Sequence, residues 1–228
     1  MRTSPDLSSA SGIDGALTRE RTRLSGLYGI TDQCLLTELP TLTAAVGQAL
    51  RGGMRLLQYR AKHLPAARRL QQAQALKQLC DQHDAVFIIN DDVELALAVA
   101  ADGVHLGRQD ATIQQARARL GQQAIIGCSC YDQLQLAHQA QQQGADYVAF
   151  GRFFPSLSKP QAVPAEPELL QQARSMLDIP ICAIGGITPA NASVVIEQGA
   201  DMIAVIQGLF AQPDVYQQAQ QFSQLFSS

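Results

Sequence analysis

The 228-residue chain has no tryptophan, and aromatic residues make up only 5% of it. Hydrophobic residues reach 46%, so its core must be largely aliphatic, and it is large enough for one barrel-sized domain or two small ones. A large excess of either charge is also missing, with 17 Lys and Arg against 20 Asp and Glu. A formal net charge of −3 provides no basic field, which excludes the electrostatic footprint of a nucleic-acid binder. No apolar run approaches ~18 residues, so no transmembrane helix is expected. The opening stretch "MRTSPDLSSASGIDGALTRERTRL" lacks an apolar segment of the secretory type, and Asp6, Asp14 and Glu20 count against a transit peptide. Residues 1–24 are read as a flexible leader, residues 25–228 as the folded domain, and the compartment as the cytoplasm. The five cysteines are irregularly spaced, with no CxxC pair; they are read as small apolar residues in a reducing compartment. HExxH and zinc spacings are absent, as is any Ser–His–Asp or Cys–His arrangement.

What is present is a rhythm. Apolar, β-branched runs at residues 24–31, 54–60, 85–90, 103–107, 124–129, 146–151, 179–186 and 200–206 alternate with segments of helical spacing. Those segments stop at glycines such as Gly121 and Gly144, or start at prolines such as Pro65. In "TPANASVVIEQG" the pattern puts Thr188 at the N-cap and Pro189 at the first helical position. The strand runs are almost continuously apolar, as parallel strands covered by helices must be. Eight such units in roughly 200 residues predict a single-domain α/β fold, a (β/α)8 TIM barrel. Alternation alone leaves a doubly wound open sheet as the other arrangement, although no GxGxxG follows the first strand.

In a barrel of this kind the working groups collect at the C-terminal ends of the strands. Strand 2 ends "LLQYRAK". With a side-chain period of two, Gln58, Arg60 and Lys62 share one face, and Leu57 and Tyr59 turn toward the helices. Two cations and an amide at one tip suit an anion. Strand 3 ends in Asn90, Asp91 and Asp92. One of them can cap the next helix, but a cap needs only one residue. Strand 4 leads to Asp110 in the neighbouring loop. Carboxylates on adjacent loops suit Mg²⁺, which takes one or two of them plus water and phosphate oxygens. Ser129 ends strand 5, and Ser156, Ser158 and Lys159 lie in the loop after strand 6. Strands 7 and 8 end in "AIGGIT" and "AVIQG", at the place where barrels frequently bind a monophosphate. His105 lies within strand 4 and is read as a hydrogen-bonded interior residue.

In order and spacing, "YGITD", "QYRAK", "NDDVELALAVAADGVHLGRQD", "IIGCS", "PSLSK" and "AIGGITPAN" resemble the thiamine-phosphate synthase family over about residues 27–210. The resemblance implies a transferase of thiamine biosynthesis. It would join 4-amino-2-methyl-5-hydroxymethylpyrimidine diphosphate to thiazole phosphate, releasing diphosphate, and CO₂ as well when the thiazole is carboxylated. It further implies that Gln58, Tyr59, Arg60, Ala61, Lys62, Asn90, Ser129 and Lys159 bind the pyrimidine diphosphate. Arg60, Lys62, Ser129 and Lys159 would take part in catalysis. Asp91 and Asp110 would hold one Mg²⁺ per subunit, and Ser156, Leu157, Ser158, Gly186, Ile206 and Gln207 would bind the thiazole phosphate. The expected partners are these small molecules, with no nucleic acid and no membrane; self-association is left open. The chain departs from the family pattern at Ser156 and Ser158, where threonine is usual, and at Gln207, where serine is usual. Two other functions stand beside this one: a thiazole tautomerase of the same barrel family, and a non-catalytic barrel that binds phosphorylated ligands.

Overall fold

The computed structural model describes residues 23–156 and 163–226. Eight parallel strands close into a barrel in sequence order. They are β1 (Gly26–Ile30), β2 (Leu56–Tyr59), β3 (Val86–Asn90), β4 (Gly103–Leu106), β5 (Ile125–Tyr131), β6 (Tyr147–Phe150), β7 (Ile181–Ile184) and β8 (Met202–Val205). Every expected strand is present, and the β1–β8 pairing (Tyr28 opposite Ala204) closes the sheet and excludes the open alternative. Around it run α1 (Leu39–Arg51), α2 (Ala66–Gln82), α3 (Val93–Ala98), α4 (Ile113–Leu120), α5 (Leu134–Gln142), α6 (Glu168–Met176), α7 (Ala192–Glu197), α8 (Gln207–Phe210) and α9 (Val215–Gln224).

The period-two alternation sorts apolar side chains into two sets. Tyr28, Ile30, Leu56, Val86, Ile88, Tyr147, Cys182 and Met202 pack together inside the barrel. Their chain neighbours Leu27, Leu57, Phe87, Ile89, Val148 and Ile203 pack outward against the helices. Leu24, read as the end of the leader, is buried in the interior set, and Arg23 reaches Asp102 at 3.2 Å. The rest of the leader, residues 1–22, lies outside the described residues.

One end of the barrel is fastened by a recurring device. Asp102, Asp146 and Asp201 stand just before β4, β6 and β8. Their carboxylates accept the backbone N–H of Phe87, Ile126 and Ile181 in the preceding strand. Arg117 and Arg174 pair with Asp146 and Asp201. These aspartates sit at the N-terminal face, where barrels hold stability residues rather than catalytic ones. That separates them from Asp91 and Asp110 at the opposite face.

Two helix readings are corrected. The helix after β7 is assigned from Ala192, with Asn191 as its N-cap rather than Thr188, and Pro189 lies in the preceding turn. The Thr188 carbonyl does take the Ala192 N–H at 3.0 Å. However, the polar side-chain contacts come from Asn191: its Oδ1 accepts from Thr188 N, and its Nδ2 donates to Gly186 O. A four-residue helix, α8, was also missed between β8 and the last long helix. It is too short to show a period.

All five cysteines are free, and Cys80, Cys130 and Cys182 are buried, as small apolar residues would be. Among the described residues no helix is long and apolar enough to cross a membrane.

Candidate active site

At the tip of β3 the three polar residues divide their work. Asp92 is the cap of α3: its Oδ1 accepts from Leu95 N at 2.9 Å, and its Oδ2 pairs with Arg69 Nη1 of α2 at 2.8 Å. That leaves Asp91 out of the helix. Its N–H still bonds the His105 carbonyl of β4 at 2.9 Å, and its backbone then turns into the left-handed region at φ 62°. A non-glycine residue in that region marks a site where surrounding structure over-determines the turn. Asp110 is not a helix cap either. Thr112 caps α4 through a complete capping box with Gln115, while the Asp110 carboxylate accepts from Gly107 N at 2.7 Å.

The two spare carboxyls meet. Asp91 and Asp110 share a hydrogen bond, and Lys62 Nζ lies 2.8 Å from Asp91 Oδ2. Burial raises Asp91, but hydrogen bonds from Lys62, Asp110 and Asn90 outweigh it and hold its carboxyl below the usual carboxylate range. Burial and the Asp91 carboxylate push Asp110 up, against the stabilising Gly107 N–H. Two like charges in contact cannot both ionise cheaply, and the two groups are accordingly shifted in opposite directions, Asp91 down and Asp110 up.

The β2 tip is braced for its part. Arg60 N–H donates to Thr31 Oγ1 at 2.8 Å, and His63 N–H to Gln33 Oε1 at 2.9 Å. A cleft of about 350 Å³ opens beside the carboxyls, lined by Ala61, Lys62, Arg69, Asn90, Asp91 and Asp92. A somewhat larger groove, between α1 and α2 around Thr43, Ala75 and Leu79, has no charged lining and lies away from the strand tips. Gln58 is buried inside the barrel, as its parity requires. Tyr59 turns outward and donates to Gln72 Oε1 of α2 at 2.7 Å, which removes its phenol from the mouth.

On the other side of the mouth the loops after β6, β7 and β8 touch. Gly186 has φ 65°, and a Cβ there would lie 2.3 Å from the Pro155 carbonyl oxygen. A Cβ at Gly208 of α8 would lie 2.4 Å from the Ile187 carbonyl oxygen. Glycine is required at both contacts, which draw Ser156, Gly186, Ile206 and Gln207 into one region. Leu157, Ser158 and Lys159 lie outside the described residues. Arg69 was not anticipated; in the adjacent pair Arg68–Arg69 of a Gln-rich helix nothing marks which arginine meets a carboxylate of the β3 loop.

A closed (β/α)8 barrel with Lys62 and paired carboxyls at one side of its mouth and close-packed glycine turns at the other belongs to the barrels whose working groups gather at the C-terminal strand ends. Comparison with known proteins narrows this. The family described as thiamine monophosphate synthase matches residues 27–209. A thiamine-phosphate synthase of Thioalkalivibrio sulfidiphilus is 51% identical over 210 residues, covering 92% of this chain and 99% of that one. One of Nitrosococcus oceani is 50% identical over 205 residues, covering 90% and 94%. The solved thiamine phosphate pyrophosphorylase of Pyrococcus furiosus is 36% identical, with a TM-score of 0.82 over 91% of this chain and 97% of that one. The chain belongs to the thiamine monophosphate synthase family, a family of transferases.

Proposed function

We propose that this chain makes thiamine phosphate from the aminopyrimidine diphosphate and thiazole phosphate, with Mg²⁺ at Asp91 and Asp110. The observation that carries the reading is the contact between these two carboxyls, on successive strand tips, beside Lys62. Neither is used as a cap, and folding alone gives no reason to press two acidic groups together. The donor set fits Mg²⁺: two hard oxygen ligands, with the remaining positions left to water and phosphate oxygens. Among the described residues no larger cluster of metal-ligating side chains competes with it. When bound, the ion would supply charge neutralisation to a departing diphosphate.

The chain's own residues do the rest. Lys62 and Arg60 place fixed positive charge where the leaving oxygens gain negative charge, and preorganised charge is usually the largest catalytic term. Lys159 is assigned to the same oxygens on the resemblance. Asn90 and Gln58 orient the pyrimidine side, and Ser129 contacts it rather than acting as a base. The carbon–oxygen bond to diphosphate breaks first, leaving a pyrimidine cation stabilised by its amino group. The thiazole nitrogen then supplies its electron pair to that carbon. No protein nucleophile is called for. Ser156, Leu157, Ser158, Gly186, Ile206 and Gln207 would anchor the thiazole phosphate, chiefly through backbone N–H groups.

The test is direct: purified chain, both substrates, with and without Mg²⁺, following thiamine phosphate and diphosphate. Coupling that vanishes with chelation and returns with Mg²⁺ supports the reading. Coupling at full rate without divalent cation removes the metal, and absence of coupling with Mg²⁺ removes the synthase.

A further inference from the structure

A buried hydrogen-bonded chain runs across the barrel interior and joins two sides of the pyrimidine region. Gln58 Nε2 donates to Tyr28 Oη at 2.8 Å. Tyr28 Oη lies 2.8 Å from Tyr147 Oη, which lies 2.9 Å from His105 Nδ1. His105 Nε2 lies 2.9 Å from Ser129 Oγ. The links come from β2, β1, β6, β4 and β5 in turn. Both phenols are almost fully buried among apolar side chains. The path is built for them. A Cβ at Gly127 of β5 would lie 2.0 Å from Tyr147 Cζ, so glycine alone lets that phenol cross the interior.

Counting protons gives the chain a direction. The Tyr28 oxygen accepts from the Gln58 amide, and an amide NH₂ accepts nothing in return. The Tyr28 O–H then has Tyr147 as its acceptor in the chain, and the Tyr147 O–H has His105 Nδ1. A neutral imidazole accepting at Nδ1 carries its proton at Nε2 and donates it to Ser129 Oγ. Ser129 keeps its own O–H for a ligand. Run in reverse, the chain would leave the Tyr28 O–H facing only a donor, an unmade bond in a buried site. Burial also pushes Tyr28 up, further than its hydrogen bonds with Tyr147 and Gln58 bring it down, which keeps its proton in place.

We propose that this relay sets the polarity of the pyrimidine subsite: Gln58 is fixed as an acceptor through Oε1, Ser129 as an O–H donor, and His105, Tyr147 and Tyr28 are positioning residues. The ligand class this selects presents a donor to one side and a lone pair to the other. An aminopyrimidine diphosphate does so, with its amino group as donor and its ring nitrogens and phosphate oxygens as acceptors. The inference rests on the synthase reading for the identity of that ligand, but not for the direction of the relay.

The test combines nitrogen-15 NMR of histidine-labelled, substrate-free protein with steady-state kinetics. The expected spectrum shows His105 as the neutral Nε2–H tautomer. Tyr147→Phe removes the group bonded to Nδ1. It should disturb that tautomer and raise KM for the pyrimidine diphosphate about tenfold, with KM for the thiazole phosphate unchanged. Tyr28→Phe leaves the Tyr147–His105 link and should preserve the tautomer, which separates the relay from general loosening of the core. An Nδ1–H tautomer, a charged imidazole at neutral pH, or a folded Tyr147→Phe variant with unchanged tautomer and KM would overturn the proposal. The NMR arm needs no turnover. A wild-type chain that fails to couple the substrates would sink the synthase reading and leave the direction of the relay to the tautomer alone.

Discussion

Asp91 and Asp110 are hydrogen-bonded to each other across the tips of β3 and β4, and the Lys62 ammonium is 2.8 Å from the first of them. That contact is what a metal-assisted diphosphate site needs and what a fold alone avoids.

Replacing either carboxylate separates the two demands. Asp110→Asn removes one ionisable group from the pair and keeps an acceptor for the Gly107 N–H. Its metal-free stability should stay within about 1 kcal/mol of wild type, measured by denaturant unfolding. Its Mg²⁺-dependent turnover should fall at least about a hundredfold. Asp91→Asn should lose as much activity. It also strips Lys62 of its partner.

Asp92 should behave differently. Its side chain is committed to the fold, capping α3 and pairing with Arg69. Asp92→Ala is expected to cost about 1–2 kcal/mol of stability. Turnover at saturating Mg²⁺ should fall far less than for Asp91→Asn. Equal losses of activity in the two variants would mean that Asp92 is a ligand.

Gly186→Ala probes the other side of the mouth. The new methyl would meet the Pro155 and Phe154 carbonyl groups from a left-handed backbone position. KM for the thiazole phosphate should rise about tenfold or more, equivalent to ~1.4 kcal/mol of lost contact. KM for the pyrimidine diphosphate should not move.

Gln207→Ser restores the residue usual in the family. If the backbone N–H groups carry the phosphate, KM for the thiazole phosphate should change by less than about threefold, under ~1 kcal/mol. A larger improvement would show that the glutamine side chain crowds the site.

Much of this was legible in the sequence because it is local. Strands such as Val86–Asn90 announce themselves as apolar runs, and parity alone separates Gln58 from Tyr59. Asp91 and Asp110 stood out as acidic residues in excess of what capping needs. What was not legible depends on distant partners. Tyr28 and Tyr147 are 119 residues apart in sequence, and nothing near either predicts that their hydroxyls meet inside the barrel. Arg69 finds Asp92 only once α2 lies against the β3 loop. The start of α7 was misplaced because Thr188–Pro189 has the composition of a cap, while the polar contacts come from Asn191.

The most direct measurement is anomalous scattering from crystals grown with Mn²⁺, as a stand-in for Mg²⁺, and the pyrimidine diphosphate. One ion per chain in contact with Asp91, Asp110 and the diphosphate oxygens is the predicted result. Substrate bound with no ion at these carboxylates, or an ion held elsewhere, would contradict the assignment.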